Sequence, residues 1–132
     1  MLVKFGETVA IVAVDGDELL LVRQARPGSS EPLIEIPAGK IEPGESPREA
    51  AERELAEEGG VQASRWTELG AFYAAAAYST EYVHAFAAED LAELGSAELE
   101  VLRLPLQEAV KRINDASSLA AIALWSVKSR SC

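Results

Sequence analysis

The densest group of chemically useful side chains is a run of carboxylates between residues 42 and 58. It holds seven glutamates and two arginines, which is half of the acidic excess in a 132-residue chain of formal net charge −10. If the run is helical, Glu54, Glu57 and Glu58 fall within about 100° of arc on one side. Like charges at this spacing repel, and all three lie at the helix end where the macrodipole disfavours anions. Such a cluster is typical either of a solvated acidic surface or of a site for a hard cation.

Composition excludes several other chemistries. The single cysteine, Cys132, and the single histidine, His84, exclude an internal disulfide, multi-cysteine zinc sites and a three-histidine zinc site. The acidic balance argues against binding to a nucleic-acid backbone. Residues 39–46 have the glycine spacing of a P-loop, but Glu45 stands where the phosphate-binding lysine must be. Carboxylates beside a glycine-rich loop therefore suggest phosphate-ester chemistry with Mg²⁺, which shares its ligands with substrate phosphates.

The elements that must position these residues alternate between strand-like and helix-like patterns, which predicts one α/β domain over residues 1–132. Ser46 and Glu49 form a Ser-x-x-Glu capping box, with Pro47 at the first helical position, so the carboxylate run should begin a helix. Residues 27–32 are predicted to be a loop, and a turn at 15–17 should close a hairpin. Strands are predicted over residues 7–14, 18–24, 33–36, 67–74, 81–87 and 99–104, and helices over 47–58, 105–113 and 117–127.

Residues 39–61, GKIEPGESPREAAERELAEEGGV, resemble the Nudix box. The pattern is glycine, five residues, glutamate, seven residues, then Arg-Glu-aliphatic-x-Glu-Glu-x-Gly-aliphatic. Its defined positions are matched by Gly39, Glu45, Arg53, Glu54, Leu55, Glu57, Glu58, Gly60 and Val61. With this match, the solvated-surface interpretation of the glutamates becomes the weaker one.

The resemblance implies a fold and a metal site. The fold would be an α/β/α sandwich with a mixed β-sheet, and the activity would be hydrolysis of a nucleoside diphosphate linked to another group. Glu54, Glu57 and Glu58 would ligate Mg²⁺, or alternatively Mn²⁺, together with a backbone carbonyl from Ala38 or Gly39. Arg53 would orient a glutamate through Glu45 instead of touching the substrate.

Beyond the box, the chain looks similar to ADP-ribose pyrophosphatases. Residues 21–26 (LVRQAR) and 35–39 (EIPAG) look like the subgroup's lead-in, and residues 114–120 (NDASSLA) look like its final helix. This implies substrate contacts at Arg23, Arg26 and Glu35, and hydrolysis of ADP-ribose to AMP and ribose 5-phosphate. Residues 74–77 are alanines where the subgroup has a proline- and glycine-bearing loop. We also expect the subgroup's extra N-terminal strand region to be missing.

The general base and the substrate stay open at this point. Glu57 is the first candidate for the base, followed by Glu98 and Glu81, with Glu100 close to Glu98. Alternative substrates are a dinucleoside polyphosphate, coenzyme A or a damaged nucleoside triphosphate, and a nucleotide-sensing module without turnover is the non-enzyme alternative. An aromatic residue could stack on adenine; the candidates are Trp66, Phe72, Tyr73, Tyr78, Tyr82, Phe86 and Trp125.

The setting of the protein is predicted from absent signals and from the resemblance. The sequence shows no secretory signal and no apolar run long enough for a membrane span, which favours a cytoplasmic protein. The partners expected are a small-molecule nucleotide and a second copy of the chain in a homodimer, without nucleic acid or membrane. Cys132 is expected to be an exposed thiol.

Overall fold

Seven strands form one mixed sheet in the computed structural model, which describes residues 1–130. The strands are β1 (Glu7–Asp15), β2 (Glu18–Gln24), β3 (Leu33–Glu35), β4 (Ala38–Lys40), β5 (Val61–Tyr73), β6 (Tyr82–Glu93) and β7 (Glu100–Pro105). The main order is β3-β2-β1-β6-β5, with β4 paired to β1 and β7 paired to β2. The β1–β6 pair is parallel and the other pairs are antiparallel. Cys132 lies outside the described residues.

Helices cover both faces of this sheet. They are α1 (Pro47–Gly59), α2 (Leu106–Arg112) and α3 (Ala116–Arg130). Successive side chains of a strand point to opposite faces, so β1 feeds two separate apolar clusters. Val9 and Ile11 pack with Leu55 of α1, whereas Ala10 and Val12 pack in the cluster that holds Ala109 of α2 and Ile122 of α3. This arrangement is the predicted α/β/α sandwich with a mixed sheet.

The start and end of α1 follow the sequence signals. Ser46 accepts a hydrogen bond from the Glu49 amide, and the Glu49 carboxylate accepts one from the Ser46 amide, so the capping box is formed. The helix ends at Gly59 and is capped by Gly60, whose φ of 69° is in the left-handed region that favours glycine. These two caps fix which residues of the carboxylate run face the sheet.

Three features of the sheet differ from the prediction. β4 was not predicted, because three residues that include Gly39 carry no strand periodicity, and the strand exists through its pairing with β1. β5 begins at Val61 and β6 extends to Glu93, so this hairpin is longer than predicted. Most β5 residues are exposed or half-buried, which hides the alternation that sequence reading depends on. The loop at residues 27–32 is confirmed.

None of the helices in the described part of the chain is long and apolar enough to cross a membrane.

Candidate active site

Two glutamates of α1 are held against the backbone of β4. An ideal Cβ placed on Gly39 would lie 2.1 Å from Cδ of Glu54, so the glutamate fits only because residue 39 has no side chain. The amide of Ala38 donates a hydrogen bond to Oε1 of Glu58 over 3.0 Å. β4 is itself fixed beside the central strand β1, where Val9 pairs with Gly39. The Nudix-like glycine and two of its glutamates therefore meet at one short strand.

A cavity of about 300 Å³ opens beside β4. It receives residues from α1 and α3, from the strands β1, β2, β4 and β6, and from the segments before β1, β3 and β6. Its polar side chains are Thr8, Gln24, Arg26, Lys40, Glu54, Glu58, Glu81 and Ser117, and its apolar or backbone walls come from Phe5, Val9, Ala10, Ala38, Gly39 and Val83. The cavity thus combines three carboxylates with two cationic side chains.

Burial makes the two inner carboxylates hard to ionise. Desolvation raises the pKa of Glu58 to about 7, and the charge of the neighbouring Glu54 adds to the increase. Desolvation also raises the pKa of Glu54, which is 9% exposed, against the opposing effect of Arg53. Both shifts describe carboxylates that would gain from a nearby positive charge.

Arg53 connects the carboxylates of the loop and of the helix. Its Nε and Nη2 donate to the two oxygens of Glu45 over 2.7 and 3.0 Å, and Nη1 donates to Glu54 over 2.7 Å and to Glu57 over 3.3 Å. Nη2 also donates to the backbone carbonyl of Lys40 over 2.9 Å. The Arg53 hydrogen bonds, with help from the Glu42 amide, lower the pKa of Glu45 to about 2. The predicted Arg53–Glu45 contact is present, and Arg53 in addition touches two predicted metal ligands directly.

The carboxylates fit a hard divalent cation by their chemistry. Oxygen donors are the ligands that Mg²⁺ and Mn²⁺ prefer, and a dication would offset the repulsion between Glu54 and Glu58. Within residues 1–130, no three His, Cys, Asp or Glu side chains are grouped as they would be around a metal ion. Arg53 occupies one oxygen each of Glu54 and Glu57, and the Ala38 amide occupies one of Glu58. Ligation would therefore exchange these hydrogen bonds for contacts with the cation.

The residues predicted to contact substrate are divided between the cavity and the surface. Arg26 lines the cavity and donates two hydrogen bonds to Glu35, over 2.9 and 2.7 Å. Glu35 is 3% exposed, so Arg26 neutralises a buried carboxylate, and this hydrogen bonding raises the pKa of the arginine. Arg23 lies away from the cavity lining and pairs with Glu100 over 3.2 Å.

The candidates for the general base also separate. Glu81 lines the cavity together with Glu54 and Glu58. The Glu57 side chain is 44% exposed and is bound by Arg53. The amide of Glu98 donates to the backbone carbonyl of Glu57 over 2.9 Å, which puts residue 98 beside the end of α1 and outside the cavity lining. The cavity therefore brings together Glu81 and the inner carboxylates.

Several cavity residues were missed by sequence reasoning. Phe5 is the one aromatic residue in the lining formed by the described part of the chain, and the Lys40 ammonium lies 4.3 Å from the centre of its ring. Phe5 and Thr8 belong to no motif in the sequence, whereas Gln24 and Ser117 lie in the segments 21–26 and 114–120 but are not singled out there as contacts. Phe5 and Thr8 reach the cavity through pairing of distant parts of the sheet, and Ser117 reaches it from α3; local periodicity carries no signal for either arrangement.

Comparison with known proteins identifies one matching family model and several relatives of similar sequence. The NUDIX domain family model matches residues 4–125. The chain is 39% identical over 120 residues to the ADP-ribose pyrophosphatase of Bacillus subtilis (strain 168), covering 85% of this chain and 65% of that protein. It is 31% identical over 134 residues to the methanol dehydrogenase activator of Bacillus methanolicus, covering 92% of this chain and 72% of that protein.

A solved structure described as a crystal structure of ADP compounds hydrolase has the same fold. It superposes with a TM-score of 0.85 at 30% sequence identity, covering 95% of this chain and 73% of that chain. The present chain thus spans about two thirds of the length of the Bacillus subtilis relative, and nearly three quarters of the solved structure.

Proposed function

The chain belongs to the NUDIX domain family, and we propose that it is a metal-dependent pyrophosphohydrolase acting on ADP-ribose or a related nucleoside diphosphate sugar. With ADP-ribose the products are AMP and ribose 5-phosphate. The observation that carries this proposal is the pair Glu54 and Glu58, held against the backbone of β4 in a cavity that also contains Arg26 and Glu81. Two neighbouring carboxylates with raised pKa values would be stabilised in their ionised form by a bound cation, and that cation could in turn bind a diphosphate.

Glu54, Glu57 and Glu58 would hold the divalent cation, with a backbone carbonyl of Ala38 or Gly39 as a further donor. A bound Mg²⁺ or Mn²⁺ supplies Lewis-acid polarisation of the phosphoryl group and lowers the pKa of an attacking water. The family relationship and the oxygen-only donor set support a divalent metal, and the choice of Mg²⁺ over Mn²⁺ is our proposal.

The chain's own side chains would bind the substrate phosphate, orient the metal-binding carboxylates and accept a proton. Arg26 lies in the cavity wall with a guanidinium that can bind a phosphate oxygen while it holds Glu35. Arg53 keeps the carboxylates of Glu54 and Glu57 on one side of the helix. Glu81 is our first candidate for the group that accepts the proton of the attacking water, ahead of Glu57 and Glu98, because it lines the cavity.

The relatives support the substrate class. The Bacillus subtilis protein is named for ADP-ribose, and the solved structure is named for ADP compounds. A dinucleoside polyphosphate, coenzyme A or a damaged nucleoside triphosphate would use the same cation and differ in the group beyond the diphosphate. A cytoplasmic location and a homodimer stay predictions from the sequence.

A substrate panel tests the proposed function. The purified chain is incubated with Mg²⁺ and ADP-ribose, other nucleoside diphosphate sugars, a dinucleoside polyphosphate, coenzyme A and 8-oxo-dGTP, and the products are separated by chromatography. We expect the highest kcat/KM with ADP-ribose or another nucleoside diphosphate sugar. A preference for a triphosphate would contradict the proposed substrate class. If no compound is hydrolysed, the result contradicts the proposed enzymatic activity and favours a nucleotide sensor.

Matched glutamate variants on one helix test the site. Glu57→Gln and Glu58→Gln should each lower kcat by about 100-fold or more, because the loss of one ligand weakens binding and placement of the cation. Glu52→Gln on the same helix is the control, since Glu52 is exposed and contacts Arg48 at 3.8 Å. Full turnover in both ligand variants contradicts the proposed metal site.

A further inference from the structure

The residues before and at the start of β1 are hydrogen-bonded to the segment that leads into β6. The amide of Val3 donates to the Tyr78 carbonyl over 2.6 Å, and the amide of Thr80 donates to the Val3 carbonyl over 3.0 Å. The Thr80 hydroxyl accepts from the Phe5 amide over 2.7 Å and donates to the Phe5 carbonyl over 2.8 Å. Four hydrogen bonds thus fasten residues 78–80 to residues 3–5.

These contacts lie beside the loop between β5 and β6, which lacks turn-forming residues at positions 74–77. Residues 74–77 are all alanine, and alanine does not fix a turn as proline and glycine do. The loop is closed instead by its own backbone, through Ser79 to Ala75 and Ala74 to Glu81, and by the segment at residues 3–5. The position of Glu81 therefore depends on contacts across more than 70 residues of sequence.

The Glu81 side chain is held by one further contact, in the cavity itself. The hydroxyl of Thr8 donates to Oε2 of Glu81 over 2.9 Å. Thr8 is 5% exposed, and both residues line the cavity that contains Glu54 and Glu58. Within the part of the chain that the structure describes, Oε2 accepts this bond while Oε1 accepts none, so one carboxylate oxygen is fixed and the other is left for the cavity.

Thr8 is suited to hold a partner in one place. It lies on the central strand β1 and pairs with Lys40 of β4 on one side and with Val83 of β6 on the other. A β-branched side chain on a strand has few rotamers, so its hydroxyl is already directed before substrate binds. The backbone of Glu81 is held as well, by the Ser79 hydroxyl and the Ala74 amide.

We propose that Thr8 is a positioning residue for the proposed reaction, and that its hydroxyl holds Glu81 with one carboxylate oxygen directed at the reacting water. The inference rests on the proposed function, since Glu81 needs a fixed orientation only if it takes part in hydrolysis. In this role Thr8 acts through Glu81 and not through its own contact with the water or the diphosphate. Its contribution is to keep Glu81 in the geometry in which a proton can be transferred over hydrogen-bond distance.

Steady-state kinetics with four variants test this role. Thr8→Val removes the hydroxyl and keeps the shape, Thr8→Ser keeps the hydroxyl, Glu81→Gln removes the carboxylate, and the fourth variant combines Thr8→Val with Glu81→Gln. Thr67→Val on β5 is the control for exchanging a threonine on the same sheet. The substrate is ADP-ribose, or the compound of the panel that the wild type hydrolyses fastest, and Mg²⁺ is present throughout.

We expect Thr8→Val to lower kcat about 10-fold, with KM changed less than about twofold, as is typical when a partner of a catalytic group is lost. Thr8→Ser should restore most of kcat. The double variant should match Glu81→Gln alone, because a residue that acts through Glu81 has no effect once that carboxylate is gone. Thr8→Ala removes the same hydroxyl and replaces Thr8→Val if the latter does not fold.

Two results overturn the inference while the proposed function stands, and a third overturns both. If the wild type hydrolyses a diphosphate and Thr8→Val has the same kcat, Thr8 does not position a catalytic group. If the two single losses multiply in the double variant, Thr8 acts independently of Glu81. A wild type that hydrolyses no compound contradicts the proposed function first, and the inference with it.

Discussion

The packing of Glu54 against Gly39 in the candidate site can be tested by adding a single methyl group. Gly39→Ala would put Cβ 2.1 Å from Cδ of Glu54, and 2.3 and 2.5 Å from its two oxygens. Carbon atoms settle at about 3.5 Å, so the Glu54 carboxylate must retreat by about 1.4 Å. Mg²⁺ demands near-ideal geometry from its ligands, so a carboxylate displaced that far is lost as a ligand in its original position.

The expected effect on activity is larger than the effect on folding. A misplacement of about 1 Å in an active site costs about 100-fold in rate, so kcat/KM should fall by about 100-fold or more. The obstructing atoms are the end of a flexible side chain, so the free energy of unfolding should change by less than about 2 kcal/mol. Gly28→Ala is the control, because a Cβ at Gly28 meets no atom within 4 Å.

Steady-state kinetics and urea unfolding of the two variants show whether activity is affected more than stability. We expect Gly39→Ala to fold, to lose activity and to bind Mg²⁺ more weakly in calorimetry, whereas Gly28→Ala should resemble the wild type. A Gly39→Ala protein with wild-type turnover and Mg²⁺ affinity would show that the approach of Glu54 to β4 is unrelated to function. Loss of the fold in Gly39→Ala would refute the argument that the strain is absorbed by one side chain.

Three further predictions follow from the charges of the site. Glu58→Gln should leave the melting temperature in EDTA at pH 8 unchanged or raise it, because a desolvated charge is removed; a clear drop in the melting temperature would contradict this. The pKa of Glu45 is lowered to about 2, so its pairing with Arg53 stabilises the fold above the unfolded-state pKa of about 4.5, and this stabilisation is lost as the pH falls toward 2. In acid unfolding, the stability difference between the wild type and Glu45→Gln should therefore shrink between these two pH values. A difference that persists below pH 2 would refute the pairing. Arg26→Ala should raise KM for ADP-ribose more than Arg23→Ala, because Arg26 lines the cavity and Arg23 forms an outer pair; equal effects in steady-state kinetics would contradict the assignment.

The helix of the site could be predicted because its signals are local. Ser46, Pro47 and Glu49 set its start and Gly60 its end, all within a short stretch of chain. The glutamates it carries follow from helical geometry once those bounds are known. The Arg53–Glu45 pair, eight residues apart, is implied by the resemblance to the Nudix box and is present in the structure.

The assembly of the cavity could not be predicted, although several of its residues were, because its parts come from distant places in the chain. Thr8 and Glu81 are 73 residues apart and meet through the parallel pairing of β1 with β6. β4 is defined by its pairing with β1 and not by a sequence pattern of its own. Phe5 lies before the first strand, outside the alternating pattern that predicts that strand. Pairing of this kind is decided by the whole sheet, which a window of sequence does not contain.

The central claim is that this chain uses its glutamate cavity to hydrolyse a diphosphate with the help of a divalent cation. The most direct test is a ³¹P NMR time course of ADP-ribose with the purified chain and Mg²⁺. We expect the diphosphate resonances to decay while those of AMP and ribose 5-phosphate appear in equal amounts, and we expect EDTA to stop the reaction. Diphosphate resonances that persist unchanged with Mg²⁺ and with Mn²⁺ would contradict it.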